Sequence, residues 1–148
     1  MVAHVANTMS DKAFRLEVIT PDRIVLSDGE IVSVVLPAYL GYLGVLANHA
    51  PLMTELAIGE LAVRRADGRS DSMAASGGFV EVFENVVTVL AESAELSEDI
   101  DIERAEQARR RARERIASHA PNIDIDRAEI ALKRALNRLN VGRRGGRA

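Results

Sequence analysis

Residues 95–105, E-L-S-E-D-I-D-I-E-R-A, decide the fold. Before this stretch the apolar residues recur about every two positions, the period of a half-buried strand. After it they recur at about 3.6, the period of an amphipathic helix. Ser97 and Asp99 are good helix N-caps, and Asp101 and Glu103 place negative charge on a first turn, where the helix dipole favours it. The inner pattern Ile100-Asp101-x-x-Arg104-Ala105 returns 23 residues later as Ile123-Asp124-x-x-Arg127-Ala128. Two helices are therefore expected to begin in the same way.

Working back toward the N-terminus, residues 14–20 alternate, with Phe14, Leu16 and Val18 on one face. Pro21-Asp22 reads as a turn, and residues 24–26 as a short strand. Asp28-Gly29 is a hairpin signal before the β-branched run 31–36. Further strands are read at 53–56, 61–65, 72–76, 79–83 and 86–90. Asp67-Gly68 and Glu84-Asn85 read as turns, and Gly77-Gly78 as a bulge or turn. The reading is a β-sandwich, or a flattened barrel, of about eight to ten short strands rather than a parallel sheet.

Working forward, a first helix is expected from Asp101 to about Ala117 and a second from Asp124 or Asp126 to Asn140, stopped by Gly142. Pro121 cannot continue a helix and sits in the break between them. The apolar stripe of the first is Ile102, Ala105, Ala108, Ala112 and Ile116. That of the second is Ile125, Ala128, Leu132, Ala135, Leu136 and Leu139. A short loop between two such stripes predicts an antiparallel helical hairpin. Burying a Leu is worth about 1.5–3 kcal/mol, against about 0.8 per methylene-sized group, so an alanine-lined seam contributes little. The hairpin is expected to be a detachable arm on a stable β platform. The expected division is a flexible leader at 1–12, a sandwich at 13–93, a hairpin at 94–141 and a disordered basic tail at 142–148.

Composition narrows the function. The chain has 148 residues and a net charge of −3, but residues 1–96 carry 6 Lys/Arg against 13 Asp/Glu, while residues 97–148 carry 13 against 9. The basic half suits an acidic partner surface or nucleic acid, or is a solvated Arg-rich helix face. There are no cysteines, so no disulfides and no thiolate chemistry. No run of 18 apolar residues exists to span a membrane. Three Phe, two Tyr and no Trp, with an acidic sandwich, speak against a nucleic-acid module that stacks bases.

No catalytic constellation is visible. His4, His49 and His119 lack metal-ligand spacing, and Gly77-Gly78 lacks the Lys-Ser/Thr of a phosphate loop. For His49 a structural polar contact competes with a partner contact. If the helices lie antiparallel, Glu95, Asp101 and Arg104 approach Arg134 and Arg138. Arginines with carboxylates can hold a triphosphate and hydrogen-bond a base or ribose. Plain interhelical ion pairing is the competing account, and spacing alone favours it.

Six segments in register resemble the epsilon subunit of bacterial F-type ATP synthases. They are V-I-T-P-D-R (18–23), G-Y-L-G-V-L-A-N-H-A-P-L (41–52), S-G-G-F-V-E-V (76–82), N-V-V-T-V-L-A-E (85–92), I-D-I-E-R-A (100–105) and R-A-E-I-A-L-K-R-A-L-N-R-L (127–139). The resemblance implies a non-catalytic rotor subunit of the central stalk of a proton-translocating complex, at the cytoplasmic face of the plasma membrane. It implies a sandwich docked on the gamma subunit and the proteolipid c-subunit ring, with Gly41, Tyr42, Leu43, Gly44 and His49 at the contact. Tyr42 stands where the family often has an acidic residue. The hairpin resembles the family's mobile inhibitor of ATP hydrolysis. Extended, it reaches the alpha/beta catalytic head, where Arg109, Arg110, Arg111, Arg113 and Arg115 would meet an acidic segment of the beta subunit. No cofactor is required, but some members bind regulatory ATP in the folded hairpin. Glu95, Ile100, Asp101, Arg104, Arg134, Ala135 and Arg138 stand at the matching positions.

Overall fold

The computed structural model describes residues 12–145. The expected leader therefore lies almost wholly outside the described residues, as do 146–148 of the expected tail. Seven strands come first: β1 (Phe14–Ile19), β2 (Ile24–Ala38), β3 (Gly41–Val45), β4 (Leu52–Glu55), β5 (Gly59–Arg65), β6 (Ser70–Phe83) and β7 (Val86–Leu96). They are hydrogen-bonded in the order β1-β7-β6-β5-β2-β3, with β4 on β6, and β1 also pairs with β2. That last pairing closes five strands into a flattened ring. β1 and β7 run parallel, and the other pairs are antiparallel.

The strands are fewer and longer than the sequence suggests, because two expected breaks lie inside continuous strands, the first of them as a bulge. At Asp28-Gly29 the chain does not turn. β2 runs straight through, its register against β1 slips between Ile31 and Asp28, and Glu30 N donates to Asp28 Oδ1 at 2.8 Å. At Gly77-Gly78, β6 is likewise continuous. Gly77 has φ +64 and Gly78 φ +123, and a Cβ at Gly78 would overlap the Leu90 carbonyl oxygen. Only glycine fits both the conformation and the approach. Asp67-Gly68 and Glu84-Asn85 do turn the chain, between β5 and β6 and between β6 and β7.

Leu16, Ile31, Leu36, Leu61, Met73 and seven valines fill the interior almost without contact with water. On β1 the buried side chains are Phe14, Leu16 and Val18, as the alternation predicts.

After β7 a single 3-10 turn spans Ser97–Asp99. Two helices follow, α1 (Ile102–Ser118) and α2 (Ile125–Gly145). Ser97 and Asp99 are not the caps; they lie in the 3-10 turn. Asp101 is the N-cap of α1, accepting from Arg104 N at 3.1 Å, and Asp124 accepts from Arg127 N at 3.1 Å. The repeated I-D-x-x-R-A is thus one capping device used twice. α2 does not stop at Gly142 but continues to Gly145, so the helix includes residues expected to be tail. The reason is packing. A Cβ at Gly142 would lie 2.6 Å from Ile102 Cδ1 and 3.1 Å from Ile100 Cγ2, so this glycine is a notch for close approach, not a cap. Ala105 and Ala112 of α1 meet Ala128, Ala135 and Leu139 of α2 in a buried seam. Ile125 and Leu136, expected on that stripe, are exposed on its flank.

Candidate functional site

α2 has two working faces. Ala128, Ala135, Leu139 and Gly142 face α1. Residues 130, 134, 137, 141 and 144, spaced by fours and threes, form a second stripe toward the sandwich. Along it, Val141 is fully buried in a small second core with Ala74 and Ile100. Asn137 Nδ2 donates to the carbonyl oxygens of Gly59, at 2.9 Å, and Ala75, at 3.4 Å. Arg144 Nη2 pairs with Glu60 Oε2 at 2.5 Å, and Arg134 Nη2 with Glu92 Oε2 at 3.2 Å. On the adjoining flank Arg138 grips Glu95 side-on. Nη2 donates to Oε2 at 3.1 Å, while Nε lies 2.8 Å from Oε1 but is not aligned for a hydrogen bond.

Between this face and the strands lies a cleft of about 410 Å³, lined by Ala74, Ala75, Ser76, Ser93, Glu95, Arg104, Arg134, Asn137 and Arg138. Its size falls in the range of small-molecule sites. Its floor carries the mutually hydrogen-bonded hydroxyls of Ser76 and Ser93. Three guanidinium groups converge on it. Two already hold carboxylates, whereas Arg104 makes no ion pair with any described residue. The arrangement suits a polyanion, because arginine forks match phosphate oxygens and an unpaired cation can accept one without first losing a partner.

Of the seven residues expected at a nucleotide, the structure brings four together here: Glu95, Arg104, Arg134 and Arg138. The other three sit elsewhere. Ile100 is in the second core, Ala135 is in the helix seam, and Asp101 faces a shallow hollow with Glu103, Gln107, Arg111 and Arg104, the last of which borders the cleft as well. One oxygen of Asp101 is committed to the N-cap.

The expected ring contacts fall on neighbouring stretches of the chain. Gly41, Tyr42, Leu43 and Gly44 lie along β3, and His49 lies in the loop beyond its far end. Tyr42 is 64% exposed, with its hydroxyl against Glu60 N at 3.5 Å. His49 Nδ1 sits 2.7 Å from the Ala50 carbonyl oxygen, a local polar contact. That loop is fastened by Asn85, whose Oδ1 accepts from Asn48 N at 2.7 Å and whose Nδ2 donates to Ala13 O at 2.9 Å. On α1, Arg110, Arg111, Arg113 and Arg115 are exposed, while Arg109 is half-buried against Glu106. Spacing places Arg104, Arg111 and Arg115 on one flank of that helix.

Glu106 is a second pin between the helices. It pairs with Arg109 on its own helix and with Arg143 of α2 at 3.2 Å. The hydrogen bond from Arg109, then the positive charges of Arg109, Arg143 and Arg110, hold its carboxyl below the ordinary carboxylate range. At the far end of the sandwich Arg65 bridges Asp71 and Asp28, and the Asp71 hydrogen bond raises its pKa further. Among the described residues no cluster of His, Cys, Asp or Glu could hold a metal ion, and no helix is long and apolar enough to cross a membrane.

Neither Asn137 nor Glu92 stands out in the sequence, and Asn85 and Gly142 read there only as a turn and a helix stop. Asn137 could have been found from the 130–134–137–141–144 spacing, but only Ile130 and Val141 in that stripe are apolar.

Residues 13–97 match the family described as "ATP synthase, Delta/Epsilon chain, beta-sandwich domain", and residues 98–142 match "ATP synthase, Delta/Epsilon chain, long alpha-helix domain". An ATP synthase epsilon chain of Pelotomaculum thermopropionicum is 53% identical over 109 residues, 74% of this chain and 80% of that one. The epsilon chain of Carboxydothermus hydrogenoformans is 50% identical over 113 residues, 76% of this chain and 82% of that one. A chain of the Euglena gracilis mitochondrial ATP synthase, in a structure of its OSCP/F1/c-ring portion, superposes with a TM-score of 0.76 at 26% identity, covering 93% of this chain and 82% of that chain. With both halves matched in order across nearly the whole described fold, this chain belongs to the ATP synthase epsilon-chain family.

Proposed function

We propose that this central-stalk subunit is non-catalytic, that its sandwich joins the gamma subunit to the proteolipid ring, and that its hairpin is an ATP-sensitive brake on hydrolysis. The complex is membrane-bound and this subunit is peripheral to it; its place is the cytoplasmic face. A docking role is supported by the outer face of β4, β6 and β7. There the register sets Met53 beside Glu81, and Phe79 beside Leu90, and Met53, Phe79, Phe83 and Leu90 are all more than half exposed. Apolar side chains clustered on one sheet face mark a surface for a partner. The extended arm would carry the arginine flank of α1 to the catalytic head.

The observation that carries the brake is the position of the cleft. Glu95 comes from the sandwich, and Arg104, Arg134 and Arg138 come from the hairpin. A ligand touching both has its full site only in the docked arm. It therefore favours the docked arm by its differential affinity. In this site ATP would supply a triphosphate for the arginines and a base or ribose for Glu95.

Calorimetric titration of the isolated chain with magnesium-free ATP, with ADP and GTP as controls, tests this. Saturable binding selective for ATP is expected. Arg104→Ala and Arg138→Ala should each weaken it about tenfold to a hundredfold, the scale of a lost charge-assisted hydrogen bond. Affinity unchanged in both variants would remove the site from the cleft.

A further inference from the structure

Arg134 borders two hollows. It lines the cleft described above, and it also lines a neighbouring surface hollow with Tyr39, Ile130 and Glu92. Glu92 borders only the second. The guanidinium is drawn toward that second hollow, where Nη2 meets Glu92 Oε2 at 3.2 Å. Glu92 lies over a glycine of the neighbouring strand. It projects from β7 over Gly77 of β6, and its carboxylate lies so close that a Cβ on that glycine would stand 2.8 Å from Oε2. The absence of a side chain at Gly77 thus leaves the room in which this carboxylate rests. Among the described residues, Glu92 makes no ion pair other than the one with Arg134.

We propose that Glu92 is a positioning residue that parks Arg134 outside the cleft and so sets the affinity for a polyphosphate. This rests on the nucleotide reading of the cleft and adds to it a built-in competitor. In the resting arm Glu95 holds Arg138 and Glu92 holds Arg134, leaving Arg104 as the unpaired cation. A triphosphate entering the cleft exchanges one carboxylate for phosphate at Arg134. Because both partners of that pair are largely exposed, at 47% and 65%, the exchange is easily reversed. The residue at position 92 then tunes how much ligand is needed to hold the arm down, without touching the ligand.

The test compares four forms of the full chain by calorimetry with magnesium-free ATP: unaltered, Glu92→Gln, Arg134→Ala and the double variant. Glu92→Gln should tighten binding about threefold to fivefold, the scale of an exposed ion pair released. Arg134→Ala should weaken it, and the double variant should bind as Arg134→Ala does, since Glu92 acts through Arg134. Matching circular dichroism and melting curves establish that each variant folds. If the unaltered chain binds ATP and Glu92→Gln gains nothing, the parking fails and the nucleotide cleft stands. If the gain survives in full without Arg134, Glu92 acts by direct repulsion and the parking also fails. If only Glu92→Gln binds, the parking holds and the native chain is not an ATP sensor. If neither binds, both ideas fall.

Discussion

The interior of the sandwich and the seam beneath the hairpin are both buried, but by opposite means. The interior is closed by Leu, Ile, Val and Met side chains from every strand of the ring, each sealed from water. The seam between the helices is made of four alanines and one leucine, and the arm is held to the sandwich by Val141, Asn137 and three arginine–glutamate pairs. Large apolar burial is strong and has no direction. Ion pairs at a surface are weak, and water or another anion can replace each partner. The first chemistry suits a platform that stays folded under load. The second suits an arm that is placed accurately and can be released.

The contrast is broken most forcefully from the interior. Leu61 is completely buried at the centre of β5. Leu61→Ala should lower unfolding stability by about 2–5 kcal/mol, the cost of a lost side chain plus the cavity left behind. Denaturant titration followed by circular dichroism measures it. A loss below about 1 kcal/mol would mean that the sandwich is no firmer than its arm and would remove the basis of the comparison.

A smaller effect is expected where the arm meets the sandwich. Gly142→Ala inserts a methyl against Ile102 and Ile100. Overpacking costs about 1–3 kcal/mol, and the better helix propensity of alanine returns about 1 kcal/mol of it. The net loss, about 1 kcal/mol, should fall on arm docking alone. Amide hydrogen exchange should quicken over the last two turns of α2, with strand amides unchanged. Greater protection of α2 would show that propensity outweighs the notch and that the seam is looser than its geometry.

The same glycine shows why part of the fold is legible in the chain and part is not. The change of period at 95–105, the inward face of β1 and the paired Asp caps are local, and they read directly. Asp28-Gly29 and Gly77-Gly78 also look local, but whether the chain turns there depends on the partner strand, and it turns at neither: the first is a bulge and the second keeps its register. Gly142 after a helical run usually ends it, yet here a contact with the 100–102 segment keeps the helix going. The site divides in the same way. Arg104, Arg134 and Arg138 announce themselves as charges on a hairpin that must fold back, and Glu95 as a carboxylate at the joint it folds from. Asn137 and Glu92 look like ordinary surface residues, because what makes them matter is a carbonyl and a guanidinium from distant elements.

The smallest expected effect sharpens the comparison through pH. Glu106 ties α1 to α2 through Arg143, and its carboxyl is held below the ordinary range, first by the hydrogen bond from Arg109. A depressed carboxylate contributes stability that is fully present above its unfolded pKa, about 4.3, and is lost as pH falls through the lower folded value. The pairing of the helices should therefore be constant from neutral pH down to about 5 and weaken only below about 4. Carboxylate carbon NMR across that interval follows the group directly. Glu106→Gln should abolish the acid dependence of the Arg143 contact and leave the strand signals untouched. The sandwich interior, which contains no ionisable side chain among its buried residues, has no such response. A Glu106 that titrates at or above 4.3 would mean the pin is not closed in solution. The two helices would then be paired by their apolar seam alone, and the arm would be looser than its ion pairs imply.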